Sequence, residues 1–368
     1  MPNSKNFSLV ITTFNRPDYL SRILLYLHFK EAKFKVIVSD ASEQSVQTAN
    51  SGNIETYRKQ GLDVTHLSIR DKADIYESML EGVRIVDTEY MQLMADDDFI
   101  IPEVSLKLIG FLERNETFTA AIGSFIYFTT HNNQAFGRVR SFSETTMVKY
   151  SREEDSAMDR VLASLQKPAD SALTTYAVMK SQAAKNAYEK ALSIDGLNHK
   201  QTETLISHLV HTGGKVKVIP EVGGLRQMHL SNNANIAHKR FTPKLTTWMT
   251  NWNEVAFYGF PPSFAKMANL CASEFSSTMG VSLTQATTFV SGWYTVIWGK
   301  YFFDESSIIQ KISYNIASSD LDIFLKRFNG YLHYLRRVLR VLRYLSGIGL
   351  DTDLRTLKEV SVYIKNRR

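Results

Sequence analysis

The sequence predicts an α/β fold: a Rossmann-like, mostly parallel sheet with helices on both faces, followed by a mainly helical C-terminal region. Three observations predict it. Short apolar, β-branched runs alternate with segments of helical periodicity. Polar side chains directly follow several of these runs, and beyond residue 240 the strand patterns give way to aromatic-rich helical ones. We therefore expect a sheet-containing domain over residues 1–238 and a helical region over residues 239–368.

The predicted strands are short segments rich in apolar and β-branched residues, and the first of them is typical of a buried strand. They are Ser8–Thr13, Lys35–Ser39, Val64–Ser68, Tyr90–Ala95, Ala120–Thr130 and Lys215–Ile219. Pro220 is expected to end the last strand, because proline cannot donate to a sheet ladder. Leu225–Asn235 is then expected to be a polar loop, and residues 131–195 show few regular patterns.

The predicted helices carry apolar residues at helical spacing. The first begins at Pro17, since proline suits the first turn of a helix. Further helices are expected over Asp71–Asp87, Pro102–Arg114 and Thr202–Thr212.

Composition excludes several classes of protein. Of the 368 residues 44% are hydrophobic and 22% charged, which excludes extended disorder. Cys271 is the sole cysteine, so an intrachain disulfide and a cysteine-based zinc site are excluded. We expect a cytoplasmic location, because the N-terminus does not resemble a secretory signal and no stretch offers the ~20 apolar residues of a membrane span.

Positive charge is concentrated in the C-terminal tail. From residue 321 onward 11 Lys and Arg accompany 4 Asp and Glu, a net of +7, which leaves −1 for the first 320 residues. Tyr331–Leu345 places arginines on one side of a helix and leucines on the other. Such a helix suits the inner face of an anionic membrane, or packing against the domain or a second copy in a homo-oligomer. The chain shows no recognised nucleic-acid-binding module.

Three consecutive acids, Asp96, Asp97 and Asp98, come directly after the predicted strand Tyr90–Ala95. Like charges this close destabilise a site unless a cation balances them, and carboxylate oxygens suit Mg²⁺ or Mn²⁺. The other interpretation is a solvated loop, or a capping run before the helix at Pro102. The strand context favours a metal site.

Two more polar points follow predicted strands. They are Asp40 and the first turn, where the candidate ligand-binding residues are Thr12, Thr13, Asn15 and Arg16. Ligands bind beyond the carboxyl ends of the strands in such sheets, so we expect both points to share an edge with Asp96–Asp98. Asp40 is expected to accept hydrogen bonds from a nucleotide base or ribose; alternatively it is an Asx-type turn residue.

These segments together resemble a known family, the bacterial family 2 inverting glycosyltransferases with the fold called GT-A. SLVITTFNRPDYLSRIL is similar to the family's first strand and turn, Asp40 to its nucleotide-contacting aspartate, and YMQLMADDDFIIP to the strand that carries its DxD motif. The resemblance covers about residues 7–230. The DDDFI and TETL segments are similar to a subgroup involved in surface polysaccharide assembly.

The resemblance implies roles for individual residues on the side of a nucleotide-sugar donor. Asp96 and Asp98 would hold Mn²⁺ or Mg²⁺ against the diphosphate, with Asp97 between them and His229 as a further ligand. The expected contacts of the donor's phosphates are Arg226 and Lys72.

The resemblance also implies a general base near the start of a late helix, eleven residues before a glycine. Glu203 lies eleven residues before Gly214, and Asp195 is its competitor. The other role open to Glu203 is that of an acidic first-turn residue favoured by the helix dipole.

Together these features predict a metal-dependent hexosyltransferase that moves a sugar onto a glycan acceptor, expected to be lipid-linked. One alternative is a sugar-phosphate nucleotidyltransferase, but that class would carry a glycine-rich phosphate loop where this chain reads TTFNRPDY. The other is a non-catalytic nucleotide-sugar-binding or scaffold protein, which the retention of Asp96, Asp98 and Glu203 disfavours.

Overall fold

The computed structural model describes residues 4–69, 74–131, 134–145, 150–165, 172–195, 197, 199–228, 262–292, 360 and 364. Within these residues the strands are β1 Phe7–Thr13, β2 Lys35–Asp40, β3 Val64–Ser68, β4 Tyr90–Ala95, β5 Phe99–Ile100, β6 Phe118–Thr130, β7 Val139–Thr145, β8 Val178–Lys180 and β9 Lys215–Gln227. The helices are α1 Pro17–Phe29, α2 Gln44–Lys59, α3 Ile75–Arg84, α4 Pro102–Arg114, α5 Ala157–Leu165, α6 Ser181–Leu192, α7 His199–Gly213 and α8 Pro262–Met279. A 3₁₀ turn, Ala172–Tyr176, precedes β8.

All nine described strands belong to one sheet, in the order β3-β2-β1-β4-β8-β6-β9-β5, with β7 beside β6. β1 to β4 pair in parallel, as does β6 with β9. β8 runs antiparallel between β4 and β6. The parallel register aligns Thr12 with Ser39 on one side and with Ala95 on the other, so the carboxyl ends of β1, β2 and β4 meet at one edge.

Apolar cores cover both faces of the sheet because successive side chains of a strand point to opposite faces. In β1, Val10 belongs to one core and Leu9 and Ile11 to the other, all fully buried. The first core receives apolar residues of α3, α6, α7 and α8, and the second receives those of α1 and α4. Each fully buried side chain of this size contributes about 1.5–3 kcal/mol, so a two-faced sheet is strongly favoured.

Residues of the C-terminal region pack on the same cores. Cys271 of α8 is fully buried in the first core, and Val360 and Ile364 are buried in the second. The boundary at residue 238 remains a prediction, and the amphipathic segment Tyr331–Leu345 lies outside the described residues. Among the helices that the structure describes, none has the length and apolarity needed to cross a membrane.

Each predicted strand and helix is present, with two corrections to the bounds. The helix predicted over Asp71–Asp87 is α3, Ile75–Arg84, with residues 71–73 outside the described part of the chain. The second correction concerns β9. The strand does not end at Pro220 but continues to Gln227, so Leu225–Gln227, predicted as loop, is strand. Irregular pairing with β6 accommodates Pro220, because the register between the two strands shifts on both sides of Ser124. Glycines permit the close crossing there, since a Cβ on Gly123 would lie 2.7 Å from the Glu221 carbonyl oxygen.

Two further differences concern elements that the patterns did not reveal. α2 is largely polar, with only Gln47, Asn50 and Ile54 buried, so it lacks the apolar stripe that predicts a helix. Residues 131–195, where few elements were expected, contain β7, α5, β8 and α6.

Candidate active site

The Asp96–Asp98 run lies at the carboxyl edge of the sheet, in the turn that follows β4. All three residues are buried. Ile101, not one of the aspartates, caps α4. The solvated loop and the capping run are therefore wrong as interpretations, and three acids lie buried together.

Arg16 pairs with two of these acids. Its Nη2 lies 2.5 Å from Asp96 Oδ1, and its Nη1 lies 2.6 Å from Asp97 Oδ2. Thr13 Oγ1 donates to Asp96 Oδ2 at 2.6 Å. Pro17 helps to place Arg16, because a residue before proline is kept out of the helical conformation, and Arg16 has φ −132°. The first turn of the chain thus brings a cation to the acids.

The loop around Asn15 fixes this turn to the neighbouring strand end. Asn15 adopts a left-handed backbone conformation, with φ 53°. Its backbone N–H donates to Ser42 Oγ at 2.8 Å, and its Oδ1 accepts from the Glu43 N–H at 2.9 Å. Asn15 is exposed, Thr12 is buried, and the Thr12 carbonyl accepts from the Asp96 N–H at 3.2 Å. Asn15 and Thr12 therefore shape the edge, and ligand contacts from them remain predictions.

Arg226 and Gln227, at the end of β9, hold the third acid. Arg226 Nε lies 3.2 Å from Asp98 Oδ2, and the Gln227 backbone N–H donates to Asp98 Oδ1 at 2.9 Å. This contact depends on the extension of β9 beyond Pro220. The structure therefore brings the predicted phosphate contact Arg226 to the predicted metal ligand Asp98.

Arg22 is a site residue that the sequence analysis missed. It is fully buried in α1, its Nη2 donates to the Asp97 carbonyl at 2.7 Å, and its Nη1 donates to Gln227 Oε1 at 2.7 Å. Its guanidinium carbon also lies 4.8 Å from the Phe99 ring centroid. Burial lowers the pKa of Arg22 to about 10, so it stays charged at neutral pH. The available signal was an arginine within the apolar repeat of α1.

The three aspartates and the three arginines, Arg16, Arg22 and Arg226, carry formal charges that cancel. Burial raises the pKa of Asp96 and of Asp98, and Arg16 and Arg226 respectively oppose that rise. The side chains of Arg16 and Arg226 are 26% and 27% exposed, whereas those of Asp96 and Asp98 are 0% and 2% exposed. A ligand that approaches this edge therefore meets guanidinium groups first.

The chemistry of the acids fits a divalent cation, since carboxylate oxygens are hard ligands. Within the described residues, however, no group of three or more His, Cys, Asp or Glu converges on one point. Asp98 Oδ2, with its 3.2 Å contact to Arg226, has the longest of the three arginine–aspartate ion pairs at this site. It is the oxygen that a cation would take over most readily. His229 and Lys72 lie outside the described residues.

Asp40 sits inside the same edge, turned toward α2 and β3. Its Oδ1 accepts from the Ser42 N–H at 3.0 Å, which is the Asx-type turn contact. Its Oδ2 accepts from Asn50 Nδ2 at 2.8 Å and lies 3.1 Å from His66 Nε2. Asp40 is fully buried, so the turn role is observed and a contact with a base remains a prediction.

Glu203 is half-buried near the start of α7. Burial raises the pKa of Tyr76 and Tyr188, and the Glu203 carboxylate raises both further. Burial also raises the pKa of Tyr176, and the charges of Asp98 and Glu203 add to that rise. The helix that carries Glu203, α7, packs against the 3₁₀ turn that ends at Tyr176. Asp195 is exposed in the turn after α6.

A two-faced α/β sheet whose carboxyl edge gathers acids and guanidiniums is typical of proteins that bind phosphorylated nucleotides. Residues 8–167 match the family model described as "Glycosyl transferase family 2". The match covers less than half of the chain and agrees with the resemblance seen in the sequence. The predicted α/β fold, a mostly parallel sheet with helices on both faces, is confirmed. No curated protein matches the chain in sequence.

Several solved structures are similar to this chain. S. aureus TarS matches with 13% identity and a TM-score of 0.45, over 78% of this chain and 43% of that chain. TarS 1-349 in complex with UDP has the same identity and TM-score, over 84% of this chain and 78% of that one. Mannosyltransferase PcManGT from Pyrobaculum calidifontis, in complex with GDP-Man and Mn²⁺, matches with 13% identity and a TM-score of 0.42, over 99% and 87%. The chain thus spans less than half of the longer TarS chain.

Proposed function

We propose that this protein transfers a sugar from a nucleotide-sugar donor to a glycan hydroxyl with inversion at the anomeric carbon. The observation that carries the proposal is the edge where Arg16 and Arg226 cover the buried Asp96–Asp98 run. It lies beyond the carboxyl ends of β1 and β4, where such sheets bind nucleotides. The family 2 match supports it.

The arginines suit the leaving group of this reaction, a nucleoside diphosphate. Guanidinium N–H groups bind phosphate oxygens through paired hydrogen bonds. As the bond from the sugar to the diphosphate breaks, negative charge grows on the diphosphate, and fixed cations stabilise that charge. Arg16 and Arg226 are partly exposed and fixed by their ion pairs, so they need little reorganisation to do this.

Asp98 and Asp96 are the residues proposed to hold Mn²⁺ or Mg²⁺. When bound there, the cation supplies further charge stabilisation to the departing diphosphate. Arg226 lies 3.2 Å from the same carboxylate and is partly exposed, so it can also reach the donor's phosphates.

Glu203 is the proposed general base, which takes the proton from the acceptor hydroxyl as that oxygen attacks the sugar. Two observations support it: α7, which carries Glu203, packs against the 3₁₀ turn that ends at Tyr176, and the Tyr176 ring in turn contacts Arg226. Asp195 is exposed and lies in the turn before α7, which makes it the weaker candidate. The removal of a general base typically costs 10²–10⁴-fold in rate.

The acceptor is proposed to be a lipid-linked glycan of surface polysaccharide synthesis, reached at the inner face of the membrane. The support is the sequence of Tyr331–Leu345, with arginines opposite leucines. The replacement of Arg336, Arg337, Arg340 and Arg343 by Gln should abolish salt-sensitive pelleting with anionic vesicles and spare binding of the donor. Equal pelleting of both proteins would contradict this role.

A screen of nucleotide sugars tests the proposed function. Each donor is incubated with the full chain, with Mn²⁺ or with excess EDTA, and release of the nucleoside diphosphate is measured. We expect one nucleotide class to be hydrolysed slowly, only with the metal. Tight binding of a donor without any turnover, even with glycan acceptors, would instead indicate the non-catalytic binding protein. No binding of any donor would contradict the proposal.

A further inference from the structure

The ring of Tyr176 lies against the guanidinium of Arg226. The distance from the Arg226 guanidinium carbon to the Tyr176 ring centroid is 4.3 Å, well inside the ~6 Å range of a cation–π contact. The Tyr127 ring lies 6.0 Å from the same carbon, at the limit of that range. Tyr176 is therefore the stronger aromatic contact of this arginine.

Independent contacts fix the Tyr176 ring in place. The Tyr176 carbonyl accepts from Gln92 Nε2 at 2.9 Å, and Ser105 Oγ donates to Gln92 Oε1 at 2.8 Å. On its other side, the ring meets the Phe125 ring edge-on at 5.8 Å between centroids. The residue is 9% exposed. The ring is thus a rigid surface attached to β4 and α4, not a mobile cover.

A rigid aromatic surface matters because arginine has a long side chain. Fixing such a side chain in one geometry costs conformational entropy. This cost weakens ligand binding unless the side chain is already fixed in the free protein. Asp98 holds Arg226 by a 3.2 Å contact, and Asp98 is also a proposed ligand of the cation. The Tyr176 ring contact does not use the carboxylate and persists when Asp98 is engaged elsewhere.

We propose that Tyr176 is a positioning residue that holds the guanidinium of Arg226 in place for the diphosphate of the donor. The inference rests on the proposed function, since it takes Arg226 as a phosphate contact. In this proposal the face of the Tyr176 ring holds the guanidinium, and the Tyr176 hydroxyl is not required. Phe at position 176 should therefore be tolerated, and a non-aromatic residue should not.

The test measures affinity for UDP and for GDP by calorimetry on the full chain, without added metal. Tyr176→Leu should weaken the tighter of the two by about tenfold, and Tyr176→Phe should remain within about twofold of the wild type. Tyr127→Leu is the matched control and should have a smaller effect, because its ring lies at the edge of the contact range. In an Arg226→Gln background, Tyr176→Leu should cause no further loss.

Fluorinated phenylalanines at position 176 keep the test valid if Tyr176→Leu fails to fold. Each added fluorine reduces the negative charge on the ring face while the shape stays nearly constant. Affinity should fall stepwise with fluorine number at unchanged melting temperature. A flat series, or an equal loss from Tyr176→Leu with and without Arg226, would overturn the inference.

The proposed function fails in a different way. If the wild type binds neither UDP nor GDP, and no other nucleoside diphosphate, both the function and the inference are overturned. If Arg226→Gln weakens binding but the ring variants leave it unchanged, the inference alone is overturned.

Discussion

The two acidic groups of the candidate site differ in their surroundings. Asp96–Asp98 is buried and paired with arginines, and Arg22 beneath it donates to the Asp97 carbonyl. Glu203 is half-buried near the start of α7, and its charge raises the pKa of the buried Tyr76 and Tyr188. A carboxylate whose oxygens are held by guanidiniums fixes those cations in place, whereas a partly exposed carboxylate can accept a proton from a substrate. The difference agrees with the proposed division, in which the donor binds at the first group and the second takes the proton.

The largest effect is expected from Asp98→Ala, which removes the acid held by Arg226 and Gln227. Loss of one partner of a buried pair leaves an unbalanced cation, so the melting temperature should fall. Donor binding with Mn²⁺ present should become undetectable, because the carboxylate proposed to hold the cation is lost. Calorimetry with the donor and thermal unfolding check both expectations.

Asp155→Ala is the matched control for that experiment. Asp155 pairs with Lys215 on the surface and is 96% exposed at its side chain, so its loss should change neither quantity. Normal donor binding by Asp98→Ala, or full activity in excess EDTA, would contradict the donor role of this run.

A smaller effect is expected from Arg16→Gln, which removes the cation shared by Asp96 and Asp97. Burial works against charge on Arg16, yet those two carboxylates raise its pKa above the ordinary value, so it is charged in the free protein. Affinity for a nucleoside diphosphate should fall about tenfold, since a hydrogen bond to a charged group is worth about 1.5–3 kcal/mol. The same substitution at Arg84, a surface partner of Glu81, should leave affinity unchanged. Equal affinity for the wild type and Arg16→Gln would remove the phosphate role.

The smallest effect is expected from a change of pH, which acts on a buried histidine of α7. Glu203 lies near the start of this helix, while His208, further along it, is fully buried. Burial lowers the pKa of His208 from its ordinary 6.5 to about 3. Below pH 6.5 the unfolded chain therefore binds a proton that the folded chain does not, and stability falls as pH drops from 6.5 toward 3.

The slope expected from one such histidine is about 1.4 kcal/mol per pH unit. His208→Leu should flatten the dependence of unfolding free energy on pH between 7 and 5, measured by urea denaturation. The exposed His131 provides the control, since His131→Leu should keep the wild-type slope. If His208→Leu keeps the wild-type slope, a group other than His208 causes the loss of stability at low pH.

The difference between the buried acidic run and Glu203 also explains which site residues could be predicted from the sequence. The strands β1, β2 and β4 were predictable because a sheet covered on both faces demands nearly continuous apolar runs, and the acids that follow β4 stand out against such a run. Glu203 was identified by resemblance alone, from its spacing to Gly214.

The arginine partners needed the tertiary structure. Arg22 looks like any helical residue until α1 packs on Asp97, and Arg226 reaches Asp98 only because β9 passes Pro220. β9 continues beyond Pro220 because its pairing with β6 is irregular near Gly123, and no local sequence pattern predicts this long-range pairing. The polar α2 was invisible for a related reason, since its few buried residues make no apolar stripe.

The most direct measurement of the division between donor site and base compares Glu203→Gln with the wild type in two assays. One measures donor affinity by calorimetry, and the other measures transfer to a glycan acceptor in a single turnover at saturating donor. We predict unchanged donor affinity and a transfer rate at least about 10²-fold lower. Asp195→Asn, the exposed competitor, should leave both unchanged. If Asp195→Asn loses transfer while Glu203→Gln retains it, the assignment of proton transfer to Glu203 is contradicted.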